Sequence, residues 1–274
     1  MQPLEPIITA HLFAPLDQQL IELLRSLNAN EWQAATVVPN WRVKDIAAHL
    51  LDTALRRLSL ARDGCLAEAP TDGDIVAFVN RLNHEGVQVY RRLSPSVLIA
   101  LMDVAVRECA EHFASLDSFG TAAFAVSWAG ESESSNWFDI AREFTERWHH
   151  QQQIRLAVNR EGIMTREFYF PVLDAFMRAL PFHYRKVAAD PGALLRFEVS
   201  GECGGSWTLL RDSKAWRLMS DASGDAIVHV TIPPDIAWRI FTKGISYEAA
   251  RAQTHCVGDQ ALGLHVLRML SIVG

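Results

Sequence analysis

The stretch WRVKDIAAHLLDTALRRLSLARDG, residues 41–64, decides the fold prediction for the first half of the chain. Its apolar residues recur every three or four positions, which is the spacing of one buried face of an α-helix. Gly64 follows the run, and glycine commonly ends a helix. His49 lies on the same side as the apolar residues Ile46 and Ala47. We therefore predict an amphipathic helix with a histidine on its buried face.

The same helical period continues through the rest of the first half, where polar breaks separate the apolar runs. Together with residues 41–64, these runs predict a helical bundle that ends at Gly162. Pro95 is suited to the first turn of one of the helices. The additional helices are predicted over residues 8–27, 74–93, 96–116 and 137–158.

Beyond residue 190 the sequence changes to short runs typical of β-strands, separated by glycine, aspartate and serine turns. We expect the four runs LLRFEVS, SWTLLR, AWRLMS and AIVHVTI to form an antiparallel meander. Helices are predicted over residues 165–185, after Pro233 up to Gly244, and over residues 259–273. The predicted fold class is α followed by α+β, with a helical domain at 1–162 and a smaller α+β domain at 163–274.

Composition and charge exclude several classes of protein. The chain has 274 residues, of which 49% are hydrophobic and 21% charged, as in an ordinary globular protein. Its formal net charge of −6 provides no overall positive field for a nucleic acid. No apolar run is long enough to span a bilayer, and the start of the chain lacks the basic region of a signal peptide. We expect a cytoplasmic protein with a small-molecule substrate and no nucleic-acid or membrane partner, and a homodimer is compatible with the sequence.

A candidate metal site comes from the stretch TERWHHQQQIR, residues 145–155. Glu146 and His150 are four residues apart, so they share one face of a helix. If this helix lies beside that of His49, the three side chains form a two-histidine, one-carboxylate site, which suits zinc and leaves a position for water or substrate. A solvated Glu–His pair is the alternative. His149 is about 100° around the helix from His150, so we expect it to point away from that centre.

Gln153 lies one turn further along the same face of this helix. Its amide could bind a cofactor group or orient a metal-bound histidine, and an exposed polar side chain is the alternative. Other chemistries lack their usual motifs, because the sequence contains no GxSxG, no glycine-rich phosphate loop, no GxGxxG after a strand and no HExxH. The four cysteines are scattered without a CxxC pair, which is typical of reduced thiols.

Two of these stretches, NWRVKDIAAHLLD at residues 40–52 and REFTERWHHQQQIRLAV at residues 142–158, resemble the mycothiol-dependent maleylpyruvate isomerase family. The resemblance implies a DinB-like four-helix bundle in which His49, Glu146 and His150 hold a divalent metal, usually zinc. Gln153 stands where the family commonly has an aspartate. Three segments of the second half resemble the sterol-carrier-like domain that accompanies the bundle in many members, at residues 204–218, 232–246 and 256–273.

The resemblance also implies a function. It predicts a metal-dependent enzyme that uses a low-molecular-weight thiol, mycothiol or another, for isomerisation of a small electrophile or transfer to it. A metal bound by two neutral imidazoles and one carboxylate lowers the pKa of a coordinated thiol or water. Two alternatives stay open, a non-catalytic protein that binds a metal or a small ligand and a zinc-dependent hydrolase. The sequence identifies no catalytic nucleophile of the protein's own.

Overall fold

A computed structural model describes residues 4–65, 68–69, 74–220 and 224–272. In the first half, four helices pack as a bundle and a fifth helix, α3, lies against α2. The predicted helical architecture of this half is confirmed. The bundle is formed by α1 Phe13–Ser26, α2 Val43–Arg57, α4 Pro95–Ser115 and α5 Asn136–Ala157, and α3 covers Ile75–Tyr90.

The helix α2 begins and ends as its sequence indicates. At its start the Asp45 carboxylate accepts a hydrogen bond from the backbone N–H of Arg42 at 2.9 Å, which satisfies one of the free donors of a first helical turn. After Arg57 the helix widens into a π-helical segment over Leu58–Arg62. Gly64 then adopts a left-handed φ of 66° and stops the helix. Such wide turns are frequent at functional sites.

The second half begins with the helices α6, Arg166–Met177, and α7, Leu180–His183, and continues into one five-stranded sheet of order β3-β2-β1-β4-β5. The first three strands form the predicted antiparallel meander. The prediction was wrong for the fourth strand, because β4 pairs parallel with β1 on its other side. The strands are β1 Leu194–Val199, β2 Gly205–Arg211, β3 Trp216–Met219, β4 Val228–Ile232 and β5 His255–Gly258.

Four further differences from the sequence prediction lie near the end of the chain. The strand β5, which pairs antiparallel with β4, was not predicted, and neither was α9, Tyr247–Gln253. The helix α8, Pro234–Phe241, ends with Lys243 rather than Gly244 in the left-handed region, at a φ of 61°. The closing helix predicted over residues 259–273 is reduced to α10, Gln260–Leu264, and a short 3-10 turn, and its last residue lies outside the described part of the chain.

Aromatic residues join the middle of α5 to the second half. The ring of Trp148 stacks on that of Tyr169 with centroids 4.6 Å apart, and its edge faces Trp238. Its indole N–H donates to the backbone oxygen of Ile163 at 3.0 Å. The second half therefore helps to position the helix that carries the candidate site, while the division into domains 1–162 and 163–274 stays a prediction. Among the described residues, no helix is long and apolar enough to cross a membrane.

Candidate metal centre

Three predicted site residues come together where α2 packs against α5. The rings of His49 and His150 lie edge to face with their centroids 4.6 Å apart. The Nε2 atom of His150 is 3.6 Å from Oε2 of Glu146. Both histidines are buried, and Glu146 keeps 28% of its side chain exposed. The structure thus brings the three side chains into one cluster, and their role as metal ligands stays a prediction.

His149 belongs to the same cluster, so the expectation that it points away was wrong. Its ring centroid is 4.0 Å from that of His150, and its Nε2 atom is 3.9 Å from Oε2 of Glu146. The possible ligand atoms of Glu146, His149 and His150 all lie within 4.8 Å of one another. The Cα–Cβ bonds of neighbouring residues differ by about 100° around the helix axis, but rotation about the side-chain bonds can still bring the two imidazole rings together. His49 is not among these three mutually close ligands, although its ring packs against that of His150 in the same cluster.

Hydrogen bonds orient two of the imidazole rings. The Nδ1 atom of His150 lies 2.9 Å from Oε1 of Gln153, and that of His149 lies 2.9 Å from the backbone oxygen of Thr145. Both partners are acceptors, so each Nδ1–H donates and each Nε2 keeps a free lone pair. This is the arrangement that metal-bound histidines have in proteins. Gln153 is buried and orients the His150 ring, so it is not the exposed polar side chain that the sequence left as an alternative.

Burial keeps the imidazoles of the cluster neutral. It lowers the pKa of His150 to about 3 and that of His149 to about 4, and it lowers the pKa of His49 well below its usual value. Burial also raises the pKa of Glu146, against the opposing effect of His150. Neutral imidazole is the form that coordinates a metal, so no proton has to be displaced from these rings near neutral pH.

One buried atom of the cluster has no hydrogen-bond partner. It is Nδ1 of His49, which contacts no donor or acceptor among the residues that the structure describes. A buried polar atom without a partner costs about 1–3 kcal/mol. Coordination of a metal at this histidine would offset that cost. Two imidazoles and one carboxylate lie within ligand distance of one another, and with His49 beside them this donor set fits a divalent metal such as zinc.

A pocket of about 320 Å³ opens beside His49, Glu146 and His150. It lies between α2, α3 and α5, and Leu60 of the π-helical segment contributes to its wall. This pocket could not be predicted from the sequence, because the apolar residues of α3 that line it have the same helical spacing as residues packed in a core. Its volume is at the lower end of the range for small-molecule sites.

The described cysteines do not contribute to this cluster. Cys109 is buried between helices, where its thiol donates to the backbone oxygen of Ala54 at 3.4 Å. Burial raises its pKa to about 11, so the thiol is protonated at neutral pH and a poor nucleophile. The group of possible metal ligands found in the described ranges contains only Glu146, His149 and His150.

The chain joins a four-helix bundle to a mixed sheet. Histidines and a carboxylate cluster between two helices of the bundle, so the chain falls in the class of bundle proteins with a candidate metal centre. The family model described as the mycothiol maleylpyruvate isomerase N-terminal domain matches residues 13–155. The chain belongs to this family. No curated protein matches its sequence.

Two solved structures match the chain over most of its length. A histidine-to-alanine mutant of the mycothiol-dependent maleylpyruvate isomerase has 12% identity and a TM-score of 0.50, with 84% of this chain and 86% of that chain covered. A second structure of the mycothiol-dependent maleylpyruvate isomerase has 14% identity, the same coverage and a TM-score of 0.46. At such identities the likeness concerns the fold alone.

The hydrogen bond between Gln153 and His150 leads to a testable prediction. In Gln153→Leu the imidazole loses the acceptor that orients it, so we expect the affinity for zinc to fall about 10- to 100-fold. The measurement is a competition titration of the metal-free protein against a chromophoric chelator. Gln152→Leu, on the same helix, is the matched control and should keep the original affinity. An unchanged affinity in Gln153→Leu would show that the amide does not support a metal ligand.

Proposed function

We propose that the protein is a metal-dependent enzyme that uses a low-molecular-weight thiol, mycothiol or another, to isomerise a small electrophile or to transfer the thiol to it. The observation that carries the proposal is the meeting of His49, Glu146 and His150 at the wall of a pocket. Membership of the family supports the use of a low-molecular-weight thiol as the cofactor. The solved relative is named as a mycothiol-dependent maleylpyruvate isomerase, which supports the isomerase chemistry.

In this proposal His49, Glu146 and His150 hold the divalent metal, with zinc as the first choice. The metal, when bound, would supply a Lewis acid that lowers the pKa of a thiol or of water. The chain contributes neutral imidazoles, a carboxylate that partly offsets the metal charge, and Gln153, which fixes one ring. Gln153 contributes to cofactor binding through His150, since its Oε1 atom accepts the Nδ1–H of that ring.

The attacking sulfur comes from outside the protein in this proposal. The described ligand cluster contains no thiol, and the raised pKa of Cys109, which is not part of the cluster, keeps that thiol protonated. The pocket next to the cluster has room for a small molecule. An external thiol therefore accounts for nucleophilic chemistry without a covalent group from the chain.

The experiment strips the purified protein of metal, reloads it with zinc and assays it on maleylpyruvate with and without mycothiol. We expect turnover only when both zinc and the thiol are present. Turnover that persists without thiol would favour the hydrolase, in which bound water attacks. Saturable binding without turnover of maleylpyruvate or of any other thiol acceptor would favour the non-catalytic binding protein. Metal-free protein is the control in each series.

A further inference from the structure

The three histidines of the cluster are held in place in different ways. The rings of His149 and His150 are each oriented by a hydrogen bond between Nδ1 and an oxygen acceptor. His49 has no such bond, because its Nδ1 atom is buried without a partner among the residues that the structure describes. Another kind of contact therefore has to fix the direction in which its imidazole points.

Two ring contacts meet the imidazole of His49. Its ring lies against that of His150 with centroids 4.6 Å apart and planes at 75°. It also lies against the indole of Trp41, with centroids 5.2 Å apart and planes at 61°. Both contacts have the edge-to-face geometry that aromatic rings favour. Because His150 is itself a candidate ligand, Trp41 is the contact that comes from outside the ligand set.

The geometry of α2 explains how a residue before the helix reaches His49. Trp41 stands two residues before the helix begins at Val43. Side chains on a helix lean towards its N-terminus, so the imidazole of His49 is directed back towards the start of α2. The long indole side chain meets it there, although Trp41 precedes His49 by eight residues in the sequence.

The backbone of Trp41 is fixed by the turn that precedes α2. Asn40 has a left-handed φ of 65°, which turns the chain directly before the tryptophan. The backbone oxygen of Trp41 accepts hydrogen bonds from the backbone N–H and the hydroxyl of Thr36, at 3.1 and 2.9 Å. Its own N–H donates to the backbone oxygen of Val38 at 3.1 Å. Both polar groups of this backbone unit are therefore tied, and the indole has a fixed base.

We propose that Trp41 is the positioning residue of His49, and that its indole holds the imidazole in the rotamer in which the candidate metal centre is assembled. For its effect on metal affinity this inference rests on the proposed function. A histidine on a helix has more than one staggered rotamer, and the affinity for a metal falls with the fraction of molecules whose ring points elsewhere. Trp41 achieves by packing what Gln153 and the Thr145 carbonyl achieve by hydrogen bonds.

Zinc affinities of matched variants test the proposal. Trp41→Leu keeps an apolar side chain but removes the aromatic face, so we expect about 3- to 10-fold weaker binding in a competition titration against a chromophoric chelator. Trp41→Phe retains a ring and should recover most of the affinity. Trp137→Leu removes a tryptophan that stacks on Phe138, and it is the control that should keep the original affinity.

A double variant shows whether Trp41 acts through His49. In the His49→Ala background the imidazole is absent, so Trp41→Leu should cause no further loss of the residual zinc affinity. An equal loss in both backgrounds would overturn the proposal, because the effect would then come from a general loosening of the bundle. Failure of Trp41→Phe to recover any affinity would overturn it as well.

Nuclear magnetic resonance of the metal-free protein separates this inference from the proposed function. We expect a nuclear Overhauser contact between the rings of Trp41 and His49, and His49 ring signals that broaden or split in Trp41→Leu. If zinc does not bind while these signals behave as expected, the proposed function is rejected and the positioning of His49 by Trp41 is kept. Absence of the ring contact in the unaltered protein would overturn the inference, and this measurement decides alone if Trp41→Leu does not fold.

Discussion

We expect the His150→Ala variant to lose nearly all of its zinc. Removing an outer hydrogen-bond partner of a metal ligand typically costs about 10- to 100-fold in affinity, and removal of the ligand itself should exceed that range. His150 is the residue through which the cluster is connected, since it contacts Glu146, His149, His49 and Gln153. The measurement is zinc content by mass spectrometry after dialysis, with circular dichroism to show that the variant is folded.

Matched histidine variants define the ligand set. His49→Ala should lose zinc in the same way, whereas the exposed His84 on α3 provides a control that should retain it. His149→Ala distinguishes two sets, because retained zinc supports His49, Glu146 and His150, and lost zinc adds His149 as a ligand. A fourth protein ligand would fill the tetrahedral shell and leave no open position. Stoichiometric zinc in a folded His150→Ala variant would refute the proposed centre.

Arg147→Met should lower the free energy of unfolding by about 3–5 kcal/mol, because it removes one partner of a buried ion pair. The Nη1 atom of Arg147 on α5 is 2.9 Å from Oδ1 of Asp17 on α1, and the two side chains expose only 6% and 4%. Burial raises the pKa of Asp17 to about 6, although Arg147 opposes that shift. The variant would therefore leave the buried carboxyl of Asp17 without its partner, so that the group either stays charged at a cost in free energy or takes up a proton. Urea unfolding followed by fluorescence measures the loss.

Two further variants test the cause of this loss. The double variant Asp17→Leu with Arg147→Met removes both charges and should recover most of the stability, as replacement of buried pairs by apolar residues often does. Arg25→Met breaks a pair with Asp103 whose side chains expose 55% and 47%. Such an exposed pair contributes about 0–1 kcal/mol, so this variant should stay close to the original. Equal losses in Arg25→Met and Arg147→Met would contradict the role of burial.

The helices of the bundle could be predicted because their apolar residues repeat at helical spacing. The apolar face of α2 and its end at Gly64 follow directly from residues 41–64. The proximity of His49 to Glu146 and His150 could not be predicted from the spacing of residues along the sequence. The family resemblance supplied it, since periodicity shows which face of a helix is buried but not which helix covers it.

The features that the sequence did not predict depend on contacts between distant segments. The strand β4 resembles an antiparallel strand in sequence, and its parallel pairing with β1 follows only from where the chain crosses the sheet. The strand β5 is four residues long and mostly exposed, so it lacks the alternation that marks a strand. His149 was excluded from the helical angle alone, whereas its ring position depends on rotation about side-chain bonds and on the carbonyl of Thr145.

Trp148 has a consequence for how this protein can change over evolutionary time. Its ring, next in sequence to His149, is covered by Tyr169 and Trp238 from the second half of the chain. Recombination that joined this bundle to the second half of a distant relative would leave the indole uncovered unless matching aromatic residues came with it. Selection on the metal-centre helix is therefore expected to act on both halves together, so that they are inherited as one unit.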